Sequence, residues 1–343
     1  MLSDAIYTVS DYNNAYILCS TENFMDETLK RETDNLARRL DIQDLQSALI
    51  FPKYFEIETI RACNARCEMC TSSDWDGAGN KMSEELFAKI ASQVRDYSSW
   101  VNSVCLSRNG EPLLDKNIPN KIKLLKKYGV RQVTFSTNAS LLGYKKSIAL
   151  IESGLDDIRF SLDGITKETF ESIRRGLNFD KVMKNCMEFI ELRNQRGTKP
   201  RIQARMVLQE KNAGEEKRWK EFWLSKLREM DVVYSKQMHS WGNQLKEIPY
   251  SEDIIKYSNL PCISPWSTMV IHFDGKVPMC GCDYNNLFLL GDASKQKIEQ
   301  IWRNENYARI RKIHSEGKRN EIPLCRGCNV WDVEEKHVYG GKA

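Results

Sequence analysis

Residues 54–70 read Tyr54-Phe55-Glu56-Ile57-Glu58-Thr59-Ile60-Arg61-Ala62-Cys63-Asn64-Ala65-Arg66-Cys67-Glu68-Met69-Cys70. Phe55 and Ile57 alternate with Glu56 and Glu58, the period-2 pattern of a strand with one apolar and one polar face. Three cysteines follow directly, spaced C-x3-C-x2-C. Thiolates this close can hold three irons of a [4Fe–4S] cube. Such clusters ordinarily take four Cys, so one iron would stay open to an outside chelator. Two plainer readings stand beside this one: cysteines that only pack, or a zinc site completed from afar. Zinc prefers paired C-x2-C groups, and no nearby His offers itself.

Strand and helix patterns alternate after this stretch. Strands are expected at 54–60, 101–107, 130–137, 157–163, 201–208 and 232–238. Helices are expected from Ser83 through Val94 and at 117–128, 141–153, 167–174, 180–193 and 215–230. Ser83 is a suitable N-cap, with Glu84 and Glu85 in the positive first turn. Six such strands predict a parallel sheet. Ile202, Ala204, Met206 and Leu208 alternate with Gln203, Arg205, Val207 and Gln209, and Ile158, Phe160 and Leu162 with Arg159, Ser161 and Asp163. A doubly wound sheet would want both faces apolar. One apolar and one mostly polar face predicts an α/β fold of the partial (β/α)6 TIM-barrel kind, with chemistry at the C-terminal strand ends. Glu56, Glu58, Arg159, Gln203 and Gln209 would line its lumen.

The motifs at those strand ends resemble the radical S-adenosylmethionine (radical SAM) superfamily. The cysteine triplet follows the first strand. Asn109-Gly110-Glu111-Pro112-Leu113-Leu114 follows the second and is similar to the family's G-G-E-P, with Asn109 in place of the first glycine. Ser136-Thr137-Asn138 ends the third, like T-N-G. Ser161-Leu162-Asp163-Gly164, with Ile173-Arg174 and Gly176 downstream, is like S-L-D-G…I-R-x-G. The resemblance covers about residues 54–332. It implies that Cys63, Cys67 and Cys70 bind a [4Fe–4S] cluster whose open iron chelates SAM. Reductive cleavage of SAM would give a 5′-deoxyadenosyl radical that takes a hydrogen atom from substrate. It further implies that Gly110, Glu111 and Pro112 lie along the methionine moiety and that Asn138, Ser161 and Asp163 meet ribose or carboxylate. Met69 would cover adenine, where the family usually has an aromatic residue. Arg205, a lumen-facing cation, would pair with the SAM carboxylate.

A second cysteine group, Cys262, Cys280, Cys282, Cys325 and Cys328, punctuates the C-terminal region. Asp274-Gly275 between 269–273 and 276–279 predicts a β-hairpin with a two-residue turn. An amphipathic helix is expected at 295–314. Val270-x3-Asp274-Gly275-Lys276-Val277-Pro278-Met279-Cys280 and Ile298-x2-Ile301-Trp302 resemble the SPASM or shorter twitch extension of the same family. The resemblance implies one auxiliary [4Fe–4S] cluster on Cys262, Cys280, Cys325 and Cys328; the plainer alternative is a structural zinc on the same four thiolates. Cys282 is left over, as a packed residue, a substitute ligand or a hydrogen-atom donor. Cys105, on the second strand, is a second donor candidate. Cys19 and Cys186 read as structural. His239, His272, His314 and His337 show no ligand spacing, and Trp219, Trp223, Trp266, Trp302 and Trp331 read as packing residues.

Composition closes off other classes. The chain has 343 residues, 41% hydrophobic and 29% charged, an ordinary globular mixture. Lys+Arg number 51 and Asp+Glu 47, too small a surplus to imply nucleic acid. No run of 18 apolar residues predicts a membrane span, and the first residues carry no signal-peptide pattern. Clustered Cys without an export signal points to a reducing cytoplasm. The expected organisation is a helical cap at 1–50, the barrel at 51–238, a linker at 239–260, the auxiliary-cluster domain at 261–332 and a tail at 333–343. The expected activity is that of an oxidoreductase or epimerase on a C–H bond of a small polyhydroxylated molecule, a sugar or aminocyclitol. A flavodoxin- or ferredoxin-like protein would supply electrons. Modification of a ribosomal peptide is the alternative, and a non-catalytic zinc or Fe–S binding protein the reading from another class.

Overall fold

The computed structural model describes residues 27–197, 199–245, 259–328 and 330. Cys19, Trp331, His337, the tail at 333–343, most of the linker and the first part of the cap lie outside the described residues. Helix α1, Glu27–Arg39, comes first. The chain then divides into two compact units, one of Lys53–His239 with Val270–Gly275, the other drawn from the remainder.

The first unit carries β1 (Tyr54–Ile57), β2 (Ser103–Cys105), β3 (Gln132–Thr137), β4 (Asp157–Ser161), β5 (Arg201–Leu208) and β6 (Val232–Gln237). They pair in parallel and in sequence order. All six C-terminal ends therefore share one edge, which gathers the motifs of the loops that follow them. Between the strands run α2 (Glu84–Asp96), α3 (Ile118–Lys127), α4 (Tyr144–Ile151), α5 (Lys167–Ile173), α6 (Phe179–Arg196), α7 (Glu210–Ala213) and α8 (Glu216–Lys226). Ser83 Oγ accepts from Leu86 N at 3.1 Å and caps α2, worth roughly 1 kcal/mol. The helix then buries Phe87, Ile90, Ala91 and Val94 at 3.6-residue spacing. Asn178 caps α6 in the same way, and α6 buries Val182, Cys186, Phe189 and Ile190. Phe189 meets Phe160 of β4 edge-on at 5.7 Å.

The helix expected at 215–230 forms as α8, Glu216–Lys226, preceded by the short α7, which Asn212 anchors by donating to Asp163 O and Val207 O. Three local expectations are corrected in this fold: the place of Gln209, the hairpin at 269–279 and the single helix at 295–314. Gln209 caps α7 and is not a lumen group. The hairpin across Asp274-Gly275 does not form. Strand β7, Thr268–Ile271, instead joins the large sheet beyond β1, where Glu58 N donates to Ile271 O at 2.9 Å. The edge of the partial barrel had unpaired backbone groups that this strand satisfies.

In the second unit α9 (Ser264–Ser267) precedes a small antiparallel hairpin of β8 (Lys276–Pro278) with β9 (Leu289–Asp292). The single helix expected at 295–314 is two, α10 (Ile298–Trp302) and α11 (Glu305–Ser315). Asn304 separates them: its Oδ1 accepts from Tyr307 N and its Nδ2 donates to Leu290 O, the competition that keeps Asn out of helix interiors. The stretch read as a cap is tied to α10. Trp302 Nε1 donates to Ala48 O at 2.8 Å, and Arg303 donates to the carbonyls of Leu49 and Ile50. No helix among the described residues is long and apolar enough to cross a membrane.

Candidate active site

The loop after β1 brings Cys63, Cys67 and Cys70 together, each half-buried, with Met69 half-buried among them. Backbone contacts fix it: Arg66 N donates to Arg175 O and Glu68 N to Ile173 O, at 2.7 and 3.0 Å. Burial, more than the neighbouring thiols, pushes the Cys63 thiol up to about 12 and raises Cys70 as well. Such thiols keep their protons until a metal displaces them. Arg174 Nη1 donates to Cys67 Sγ at 3.5 Å, and Asn138 Nδ2 lies 4.0 Å from Cys63 Sγ. N–H donors aimed at two of the three sulfurs suit thiolates that carry charge.

The neighbouring strand ends are braced. Gly110 has φ +93°, and a Cβ there would stand 2.3 Å from Ile60 O, so only glycine permits this approach. Glu111 N donates to Ala62 O at 2.7 Å. The Glu111 carboxylate is buried and accepts from Thr137 Oγ1, Asn138 N and Leu113 N at 2.7, 2.8 and 3.1 Å. Burial raises its pKa, and these donors work against the rise. Glu111 therefore braces the ends of β2 and β3. Pro112 opens a buried 3-10 turn, Pro112–Leu114. Asp163 is likewise internal, accepting from Arg174 Nε and Val207 N. Asn138 Oδ1 accepts from Ser140, while its Nδ2 donates to Asn64 Oδ1 beside the cysteine loop.

The polar sheet face forms a cationic wall. Arg159 donates to Gln203 Oε1 and Ser136 Oγ, both at 3.1 Å. Arg205 donates to Ser161 Oγ at 2.9 Å, while its buried Nε has no partner among the described residues. Burial lowers the Arg205 pKa, and the nearby charges of Arg159 and Arg174 add to this. An orphaned guanidinium N–H among cations fits an incoming anionic group such as a carboxylate. Arg108 pairs with Glu56 at 3.1 Å. Cys105 Sγ lies 3.2 Å from Ser107 Oγ. Glu58, expected in the lumen, is instead held by Arg61 at 2.9 Å and by Phe273 N. His239 is kept well below the usual histidine range by burial, then by Lys236, Arg108 and Arg205.

The second unit holds the second cysteine group. Among the described residues, no three His, Cys, Asp or Glu converge tightly enough for a single metal ion. A cube of four irons spreads its thiolates wider than one tetrahedral ion does. Cys262, Cys280, Cys325 and Cys328 nevertheless lie within electrostatic reach of one another. Burial raises Cys262 to about 12 and pushes Cys325 well above the usual thiol value. Cys282 is buried and hydrogen-bonded with the sulfurs of Cys280 and Cys328, contacts that raise its own pKa ahead of burial. Arg319 is buried, and its charge reaches Cys262 and Cys325. His314 joins two of these cysteines: Cys262 N donates to Nδ1 at 3.2 Å, and Nε2 lies 3.8 Å from Cys325 Sγ.

Arg174, Arg319 and His314 carry no ligand spacing of their own. Arg174 sits inside a quoted motif, the one signal that pointed to it; the other two reach the cysteines only through the fold.

Comparison with known proteins agrees with this arrangement. The model of the Radical SAM superfamily matches residues 57–202, and that of SPASM, an iron-sulfur cluster-binding domain, matches 262–329. An S-adenosyl-L-methionine-dependent 2-deoxy-scyllo-inosamine dehydrogenase of Niallia circulans is 23% identical over 286 residues, 83% of this chain and 95% of that protein. The crystal structure of BtrN in complex with AdoMet and 2-DOIA superposes with a TM-score of 0.55 at 21% identity, over 81% of this chain and 93% of that one. Streptococcus suis SuiB bound to precursor peptide SuiA gives 0.61 at 16% identity, over 88% and 76%. At such identities these two structures share the fold. The cysteine loop, the braced strand ends and the two family matches make the chain a radical SAM enzyme, dependent on S-adenosylmethionine and a [4Fe–4S] cluster, with a C-terminal SPASM domain for a further iron–sulfur cluster.

Proposed function

We propose that this enzyme oxidises a secondary alcohol of a small polyhydroxylated substrate, an aminocyclitol or sugar, to a ketone. The observation that carries the oxidation is the placement of Cys282. Its thiol lies against the sulfurs of Cys280 and Cys328, which favours packing or ligation there over hydrogen donation. The aminocyclitol or sugar class draws support from similarity along 95% of the inosamine dehydrogenase, and from a lumen of guanidinium, amide and hydroxyl groups.

When bound, SAM and its cluster would supply one-electron chemistry able to take a hydrogen atom from the substrate, and the auxiliary cluster would supply an acceptor for one electron. Cys63, Cys67 and Cys70 hold the first cluster; Cys262, Cys280, Cys325 and Cys328 hold the second. Arg205, with its orphaned Nε–H, would pair with the SAM carboxylate. Arg159, Gln203 and the Glu56–Arg108 pair orient substrate hydroxyls. The substrate carbinol gives up its C–H hydrogen as an atom, its O–H hydrogen as a proton and one electron. Water takes that proton; His239, held neutral by burial and the nearby cations, is a poor base for it. A flavodoxin- or ferredoxin-like protein returns the electron each turnover requires.

Epimerisation is the second reading, favoured by Cys105, a half-buried thiol on β2 beside Ser107. The test is anaerobic turnover in deuterated water with a panel of aminocyclitols and sugars. Oxidation gives one 5′-deoxyadenosine per trapped ketone. Epimerisation gives deuterium at the inverted carbon, lost in Cys105→Ala. A panel that yields no 5′-deoxyadenosine above the substrate-free rate would sink the small-molecule reading and favour a peptide.

A further inference from the structure

We propose that His314 donates its Nε2–H to the sulfur of Cys325 and so raises the reduction potential of the auxiliary cluster. The imidazole stands between two cysteines far apart in sequence. Cys262 precedes α9, Cys325 follows the 3-10 turn Arg319–Glu321, and His314 sits near the end of α11 between them. Its side chain is buried, with the ring edge-on to Trp266 at 6.1 Å.

The tautomer follows from the backbone. Cys262 N donates to Nδ1 at 3.2 Å, so Nδ1 must offer its lone pair. The ring proton is then on Nε2, the nitrogen 3.8 Å from Cys325 Sγ. A sulfur acceptor is larger than oxygen and takes its donors at longer range. A residue needed only to satisfy the Cys262 amide would require one acceptor; the second nitrogen, turned to a thiol, has work only when that sulfur accepts. A thiolate on a reduced cluster carries more negative charge than on an oxidised one. A fixed N–H donor therefore stabilises the reduced form more and moves the potential up. His314 is a positioning residue in this account, acting through Cys325.

The buried Arg319 also places positive charge near these sulfurs. It offers a rival source of tuning, and the test must separate through-bond contact from charge alone. The inference rests on the auxiliary cluster and not on the identity of the substrate.

The experiment uses the full chain with Cys63, Cys67 and Cys70 replaced by Ala, reconstituted so that only the auxiliary cluster loads. Pulsed EPR of the reduced cluster is compared between natural and 15N-histidine protein, in normal and deuterated water. A weak nitrogen coupling that changes with the label, and an exchangeable proton coupling, are expected. His314→Phe should abolish both and weaken reduction about tenfold, a downward shift of ~59 mV for one electron. His314→Gln keeps an acceptor for Cys262 and a donor for Cys325, and should restore most of the potential. Absence of a histidine nitrogen coupling in the His314 protein overturns the proposal whatever the variants do. So does a coupling that survives in the Phe variant, or an unchanged potential there, which would leave the tuning to Arg319. If no auxiliary iron loads, the cluster itself is in question; the substrate reading is judged separately by turnover.

Discussion

Glu111 shows how a motif residue can brace the strand ends that carry a site. Its carboxylate gathers donors from Thr137, Asn138 and Leu113, and so locks the end of β2 to the end of β3. Glu111→Ala would leave those donors buried and unpaired, at a cost of about 3 kcal/mol. In a domain of this size that lowers the melting midpoint by about 6–12 °C. The drop should appear in SAM-free protein, with weaker SAM binding following from it. A variant that melts normally yet loses SAM would instead make Glu111 a direct ligand contact. Asp163 has the same character, held by Arg174 and Val207 N, and Arg174 in turn reaches Cys67.

At the scale of elements, the joint between β4 and α5 is fastened by Glu215, which stands just before α8. Its carboxylate accepts from Ile165 N, Thr166 Oγ1 and Thr169 Oγ1 at 2.7, 2.5 and 2.8 Å. Burial by itself would raise its pKa, but these hydrogen bonds outweigh it and hold the group below the ordinary carboxylate value. A depressed folded pKa means that the stabilisation is present above the unfolded value. It is lost as pH falls through the lower folded one. Glu215→Gln should therefore cost about 1–3 kcal/mol at pH 7 and less at pH 3, read from urea midpoints at both. An equal cost at the two pH values would show that packing, not charge, carries the effect. The Asp274-Gly275 turn was legible as a turn but not as to what its flanks pair with. β7 found the open edge of the large sheet and β8 found β9, because strand pairing is settled by neighbours distant in sequence.

For the whole molecule, each set of cluster cysteines belongs to one compact unit. Each site should therefore load without the other. Anaerobic reconstitution should give about eight irons per chain and no zinc, and about four in Cys63→Ala/Cys67→Ala/Cys70→Ala. Cys282→Ala should keep about eight, since four thiols suffice beside it. A fall to about four on that change would make Cys282 a ligand. Four irons with one zinc in the unsubstituted chain would make the C-terminal site structural and remove the electron acceptor.

The order of strands and helices, the cysteine triplet, the strand-end motifs and the second cysteine group were all determined by the sequence alone. Alternation and turn chemistry are local, and the motifs are contiguous. Only the tertiary structure decided that Glu58 belongs to Arg61, that Glu111 and Asp163 face inward, and that β7 closes the sheet edge. It alone brought Arg319 and His314 to the second cysteine group. Side-chain partners of this kind are chosen by burial: a polar group taken from water must find a donor or acceptor wherever the fold supplies one, and that place has no fixed distance along the chain.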